Sequence, residues 1–311
     1  MKTKIFIDGK AGTTGLRIYE RLSERDDIEI ISLDEAHRKD LESRKNALNS
    51  ADIAFLCLPD VAAMEAVELI ENKNTVIIDT STAHRTHSGW TYGFPELTDE
   101  LNHAVPTAKR IAVPGCHASG FIALVKPLID AGIISTDILL TCHSVTGYSG
   151  GGKQMIAEYE SEGVNTLLGA PRQYGIGQMH KHLKEMKAIT GIENDPIFCP
   201  IVSNYYSGML VTVPIFSKQL NDGKTVDDIK KLYKEKYSGA IVKYYESIDE
   251  SGFVSAAVMS GNDGMQVTVA GNNDRILLMA RYDNLGKGAS GAAIECLNMV
   301  MGADETLGLD L

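Results

Sequence analysis

The chain has 311 residues, a formal net charge of −11, 44% hydrophobic and 23% charged residues. That length suggests two domains with a sizeable core, and the composition is that of an ordinary globular protein. The acidic balance argues against nucleic acid or an anionic membrane as a partner, but a local Arg or Lys can still bind an anionic small molecule.

The N-terminal stretch Met1 to Asp8 reads as a strand and lacks the apolar run of a signal peptide. The most apolar segment, Phe121 to Leu140, is broken by Lys126, Pro127 and Asp130, so no membrane span is expected. Cysteines stand at 57, 116, 142, 199 and 296, widely spaced and without a C-x-x-C. A reduced cytoplasmic protein with neither a disulfide framework nor a metal site is the expectation.

Lys4-Ile5-Phe6-Ile7 is the first strand, and a helix carrying Leu16, Ile18, Tyr19 and Leu22 follows it. Between them Gly9, Gly12 and Gly15 give G-x-x-G-x-x-G. This is a variant of the dinucleotide fingerprint, whose glycines let the backbone approach a pyrophosphate at a helix N-terminus; a glycine-rich turn without a ligand is the competing reading. Ile28 to Leu33 is the second strand. Asp34 stands where an acidic residue would hold ribose hydroxyls, yet His37, Arg38 and Lys39 follow and suit a 2′-phosphate. That favours NADP over NAD, against a solvated charged helix running to Asn49.

Asp52 to Leu58 and Thr75 to Asp79 are further apolar strands, separated by a helix opened by Pro59-Asp60. Strand and helix alternate, which predicts a parallel sheet covered on both faces. The irregular stretch after Asp79 carries Ser81 and Arg85, the latter either an anion contact or a structural ion pair.

Ile111 to Val113 then runs into Pro114-Gly115-Cys116 and a helical pattern with Phe121, Val125 and Leu128. Cys116 is thus set at a helix start, where uncapped N–H groups and the helix dipole favour a thiolate and make it a usable nucleophile. A buried structural cysteine is the alternative. Beyond this helix come a strand over 137–145, a glycine-rich loop at 146–153 able to wrap an anion, a helix over 153–160, and strands at 196–203, 208–216, 241–245, 264–271 and 275–282. A helix is expected at 225–237 and a last one over 284–302 that returns to the first domain. The β-rich part predicts an α+β domain with a mostly antiparallel sheet.

A cysteine nucleophile needs an acid or base close in space. His117 adjoins Cys116, but neighbouring side chains at a helix start diverge; His143 in its apolar strand reads as a core histidine. His180-Lys181-His182 is the distinctive cluster, at the start of a helical stretch reaching Lys187. Two histidines at i, i+2 on a helix diverge, which excludes a metal pair and leaves an acid/base or two solvated side chains.

Taken together, Phe6 to Leu16, Tyr92-Gly93-Phe94-Pro95-Glu96-Leu97, Pro114-Gly115-Cys116, His180-Lys181-His182 and Asp283 to Gly291 resemble the N-acetyl-γ-glutamyl-phosphate reductases in their shorter bacterial form, over essentially the full length. That family is related to aspartate-semialdehyde dehydrogenases. The resemblance implies an α/β fold, with a Rossmann-type doubly wound parallel sheet in one domain (residues 1–114 and 287–311) and a catalytic and oligomerisation domain (115–286). It implies NADPH-dependent reduction of N-acetyl-γ-glutamyl phosphate to the semialdehyde, in arginine biosynthesis, through a thioacyl enzyme on Cys116. His180 or His182 would serve as acid/base. Gly12, Thr13, Thr14 and Gly15 would hold the pyrophosphate, Asn284 would lie near the nicotinamide, and Ser81 and Arg85 would lie on the substrate side. Two departures stand out: Leu183-Lys184-Glu185 lacks the family's usual proline, and His117 replaces a common tyrosine. A sister acyl-phosphate reductase, acting on aspartyl or aminoadipyl phosphate, is the nearest rival, and an inactive dinucleotide-binding regulator the more distant one. An antiparallel sheet with one free face also predicts a homo-oligomer, dimer or tetramer.

Overall fold

The structure is a computed structural model that describes residues 2–163 and 165–311, so Met1 of the N-terminal stretch lies outside the described residues. The chain divides into two compact units, Met1–Pro114 with Ala289–Leu309, and Gly115–Gly288 with Asp310–Leu311. The return to the first unit thus comes at Ala289, two residues later than the sequence suggests, and the last two residues group with the second unit.

The first unit runs β1 (Thr3–Asp8), α1 (Thr13–Ser23), β2 (Ile28–Ile31), α2 (Leu41–Ser50), β3 (Ile53–Leu56), α3 (Asp60–Glu68), β4 (Val76–Asp79), β5 (Thr91–Tyr92), α4 (Asp99–Ala104) and β6 (Arg110–Ala112). Its sheet has the order β2-β1-β3-β4-β6-β5, and every pairing is parallel. The continuous apolar runs follow from burial on both faces. Ile5, Ile7, Ile53, Phe55, Val76 and Ile78 pack on one side with Ile18 and Leu22 of α1 and with Ala292, Ala293 and Leu297 of the C-terminal helix Gly291–Met301. The alternate residues Phe6, Ala54, Leu56 and Ile77 pack on the other with Ala47, Leu48, Ala63 and Ala66. The chain order switches direction at β1, between β2 and β3, which puts the glycine turn at the topological switch point. The charged helix starts only at Leu41, because the Asp40 side chain accepts the Ser43 N–H and caps it there.

The second unit contains α5 (Cys116–Asp130), β7 (Thr141–Gly147), α6 (Gly152–Glu160), β8 (Arg172–Gln173), α7 (His182–Thr190), β9 (Ile197–Ser203), β10 (Met209–Phe216), α8 (Val226–Lys236), β11 (Val242–Tyr244), β12 (Met265–Gly271) and β13 (Arg275–Tyr282). The sheet order is β11-β12-β13-β10-β7-β9-β8. It is mostly antiparallel, with β11–β12 and β7–β9 paired in parallel. Along β10, Met209, Val211, Val213 and Ile215 are buried, while Leu210, Thr212 and Pro214 are half-buried and Phe216 is exposed. In register beside the open face of β10 lie Val145, His143 and Leu277. His143 is therefore exposed on this open face and is not a core histidine. The expected helix over 284–302 is also revised: Gly286–Ser290 forms a π-type turn, and the α-helix begins at Gly291.

Candidate active site

In the second unit, Gly115 is the N-cap of α5, no side chain caps it, and the first turn holds no acidic residue. The site therefore keeps the positive end of a helix of 15 residues for the sulfur of Cys116. Its position is fixed from three directions. The buried Glu185 carboxylate accepts the Gly115 N–H at 2.8 Å. The Tyr282 hydroxyl donates to the Cys116 carbonyl and accepts the Gly120 N–H. Gly288 passes so close that a Cβ there would lie 3.1 Å from the Cys116 Cβ, which explains a glycine in the turn after β13.

Three histidines gather beside this helix start. The His117 ring lies 5.7 Å from His180 and 5.6 Å from His182, and His180 lies 4.8 Å from His182. Phe198 of β9 closes the cluster, 5.3 Å from His117 and 5.1 Å from His180. One expectation changes here, and His117 joins the pair as a third ring. The i, i+2 pair converges because only His182 is in the helix; Lys181 is its N-cap and His180 precedes it. The Nδ1 of His180 accepts the His182 backbone N–H at 3.2 Å, so a neutral His180 carries its proton on Nε2. Burial and the Lys181 charge lower the His180 pKa, and burial followed by His180 pushes His117 down to about 3. Both are neutral imidazoles near pH 7. Among the described residues no group of three His, Cys, Asp or Glu has the geometry of a metal site.

Asn284 is buried, and its amide links three segments: Oδ1 accepts the Gly208 N–H and Nδ2 donates to Ser149 Oγ, both at 2.9 Å. The glycine-rich loop is likewise ordered by its own chain, with the N–H groups of Gly147, Tyr148 and Ser149 bonded to the carbonyls of Gly208, Tyr205 and Tyr206.

In the first unit, Gly9 has φ +87° and a Cβ there would overlap the Cys57 carbonyl, so the turn after β1 requires glycine. A Cβ at Gly15 would press on the Gly9 carbonyl. Gly12 is the N-cap of α1, whose first residues are Thr13 and Thr14, with no side-chain cap and no acidic residue in the first turn. Such a bare helix N-terminus behind a close-packed glycine turn fits a pyrophosphate. After β2, the Asp34 carboxylate accepts the His37 N–H, and Arg38 is exposed and paired with Glu35 at 2.8 Å. Ser81 and Arg85 are buried: Ser81 Oγ donates to Asp79 at 2.7 Å, while the Arg85 guanidinium donates to the carbonyls of Val113 and Thr80.

Sequence reasoning missed His117, Tyr174 and Glu185 as site residues. Glu185 lies three residues after His182, one helical turn along α7, and that spacing is a readable signal. Tyr174, whose hydroxyl meets the His117 ring, comes from a loop with no periodicity to mark it.

The family model for the semialdehyde dehydrogenase NAD binding domain matches residues 4–104, and that for the semialdehyde dehydrogenase dimerisation domain matches 116–284. The chain is 43% identical over 99% of its length to "N-acetyl-gamma-glutamyl-phosphate reductase 2" of Nostoc sp., covering 99% of that protein. It is 45% identical over 97% of its length to "N-acetyl-gamma-glutamyl-phosphate reductase" of Brucella suis, covering 100% of it. Among solved structures, aspartate semialdehyde dehydrogenase II from Vibrio cholerae shares the fold, with a TM-score of 0.72 at 17% identity, over 97% of this chain and 99% of that one. The glycine turn, the cysteine at a helix start and these full-length matches agree: the chain belongs to the semialdehyde dehydrogenase family and, within it, to the N-acetyl-γ-glutamyl-phosphate reductases.

Proposed function

We propose that the protein reduces N-acetyl-γ-glutamyl phosphate to N-acetylglutamate 5-semialdehyde and phosphate with NADPH, as a step of arginine biosynthesis in the cytoplasm. The observation that carries this reading is Cys116 at the uncapped start of α5 in a unit that also gathers His180 and His182. The Cys116 thiolate attacks the acyl carbon, and phosphate leaves with the electron pair of the broken C–O bond and a proton from solvent. A thioester on Cys116 remains. The nicotinamide, when bound, supplies a hydride to the thioester carbon. The resulting tetrahedral oxyanion collapses, the C–S bond breaks, and the aldehyde leaves with the thiolate restored. Of the two histidines, His180 is the one that acts in this reading, as a hydrogen-bond donor: its Nε2–H is left for the acyl oxygen as charge develops there.

Gly9, Gly12, Thr13, Thr14 and Gly15 would hold the cofactor pyrophosphate, and Arg38, with His37 and Lys39, would favour a 2′-phosphate. Ser81 and Arg85 order the substrate-side loop, and Asn284 orders the chain next to the nicotinamide. Among the described residues no helix is long and apolar enough to cross a membrane. The open face of the second sheet, with Phe216 60% and Leu277 38% exposed, supports a homo-oligomer formed over it. The test is the reverse reaction: N-acetylglutamate semialdehyde, phosphate and NADP are supplied and NADPH absorbance is followed. Turnover is expected. Turnover of aspartate semialdehyde instead would move the assignment to a sister reductase, and binding of NADP with neither aldehyde used would mark a regulator.

A further inference from the structure

The segment that carries His180 to the site is held against the sheet by a side chain. After β8, the Tyr174 N–H still reaches the Pro200 carbonyl of β9 at 3.0 Å. The Ile197 N–H points the other way, to the Leu140 carbonyl, so Phe198 is the next residue of β9 to turn its N–H and carbonyl toward the β8 edge. Gln178 meets both groups. Its Nε2 donates to the Phe198 carbonyl at 2.8 Å, and its Oε1 accepts the Phe198 N–H at 2.9 Å. The amide thus stands in for a paired strand residue, which would exchange the same two bonds with its partner.

Residues 175–179 gain little from packing. Ile176 is 82% and Met179 89% exposed, so neither anchors the loop by burial. Gly175 and Gly177 add backbone freedom. Gln178 itself has φ +53°, a left-handed conformation that side chains other than Asn and Asp rarely adopt. Such strain persists where the surroundings over-determine it. Here they comprise the two amide bonds and the Gln178 N–H, which closes a turn onto the Gly175 carbonyl at 2.9 Å. His180 follows two residues later. The ring of Phe198, whose backbone the amide grips, lies 5.1 Å from the His180 ring. On its other side His180 is tied to the start of α7 by the N–H groups of His182 and Leu183.

We infer that Gln178 is a positioning residue whose amide, bonded to both backbone groups of Phe198, clamps the loop 175–179 to β9 and so fixes the His180 ring beside Phe198. The inference rests on the reading of His180 as the donor to the acyl oxygen; Gln178 acts only through His180.

The test compares Gln178→Gly with the wild type. Glycine adopts φ +53° without strain, so the variant loses the clamp and keeps the fold, which circular dichroism checks. The first readout needs no substrate. It is the nuclear Overhauser contact between the His180 and Phe198 rings, in protein labelled at histidine and phenylalanine, with His180→Ala to assign the signal. This contact is expected to weaken in Gln178→Gly. The second readout is the reverse reaction with NADP. kcat should fall about tenfold, short of the roughly hundredfold or more expected for His180→Ala, which removes the donor altogether. KM for NADP should not change, because the glycine turn that would hold the cofactor lies in the first unit. In the His180→Ala background Gln178→Gly should cost nothing further, whereas a merely structural role would cost the same in both backgrounds. An unchanged ring contact, a wild-type kcat, or a loss that persists in full without His180 overturns the inference. A full kcat in His180→Ala alone would instead sink the reading of His180 as donor, and the ring contact would still decide whether Gln178 places it.

Discussion

The buried His117 ties stability to pH in a way that can be measured against a single substitution. Its imidazole is 3% exposed and its pKa is pushed from 6.5 down to about 3, by burial and then by His180. In the unfolded chain the same group protonates near its ordinary value, so below about pH 6.5 the unfolded state binds a proton that the folded state refuses. The stabilisation from a neutral His117 is complete above that pH and is lost progressively as pH falls toward 3, at about 1.4 kcal/mol per unit. At pH 5 the loss is about 2 kcal/mol. His117→Gln keeps the polar contacts and has nothing to titrate. Urea unfolding of both proteins at pH 7.5, 6 and 5 (values spanning roughly the titration of free imidazole) should be followed by circular dichroism, since the single tryptophan, Trp90, belongs to the first unit. The wild type is expected to lose about 2 kcal/mol relative to the variant between the first and last pH. A stability difference that stays constant across that range would refute a neutral, buried His117.

Cys116→Ser should bind NADPH as the wild type does, in a fluorescence titration, and lose turnover by roughly a thousandfold or more, because a serine hydroxyl is scarcely ionised at neutral pH. Gly9→Ala places a Cβ on the Cys57 carbonyl at φ +87°, and NADPH affinity by calorimetry should fall by roughly thirtyfold or more. Arg38→Ala should narrow the preference for NADPH over NADH by about tenfold in kcat/KM, with the NADH value unchanged. Phe216→Lys with Leu277→Lys puts two charges on the open sheet face and should shift sedimentation toward the monomer; an unchanged oligomer would place the interface elsewhere.

The first unit was legible because its sequence is locally redundant. Ile5 and Ile7 face one helix layer and Phe6 the other, so a run without alternation announces a two-sided core. The glycine turn is a steric requirement of adjacent backbones, and such requirements leave fixed residues. Cys116 was readable for the same reason, since Pro114-Gly115 sets a helix start. His180 and His182 were singled out, but their convergence with each other and with His117 was not legible. The divergence rule for i, i+2 histidines assumes that both are helical, and α7 begins one residue after Lys181. Tyr174 and Ser144 reach His117 from a loop and from β7, at sequence separations of 57 and 27. No local pattern encodes a contact of that kind. The parallel pairs β7–β9 and β11–β12 escaped notice because regular spacing suggests hairpins whether or not the chain detours through a helix.

The C-terminal helix Gly291–Met301 supplies Ala292, Ala293, Cys296 and Leu297 to the same apolar layer as Ile5, Ile18 and Phe55. During synthesis this leaves the first 114 residues with one side of their sheet covered by α1 alone until residues 115–288 have left the ribosome. At the ~5–20 residues per second typical of translation, that wait lasts roughly ten to thirty-five seconds. The nascent first unit is thus the stage at which a chaperone is most needed, and the second unit, whose segment is contiguous but for two residues, can close first.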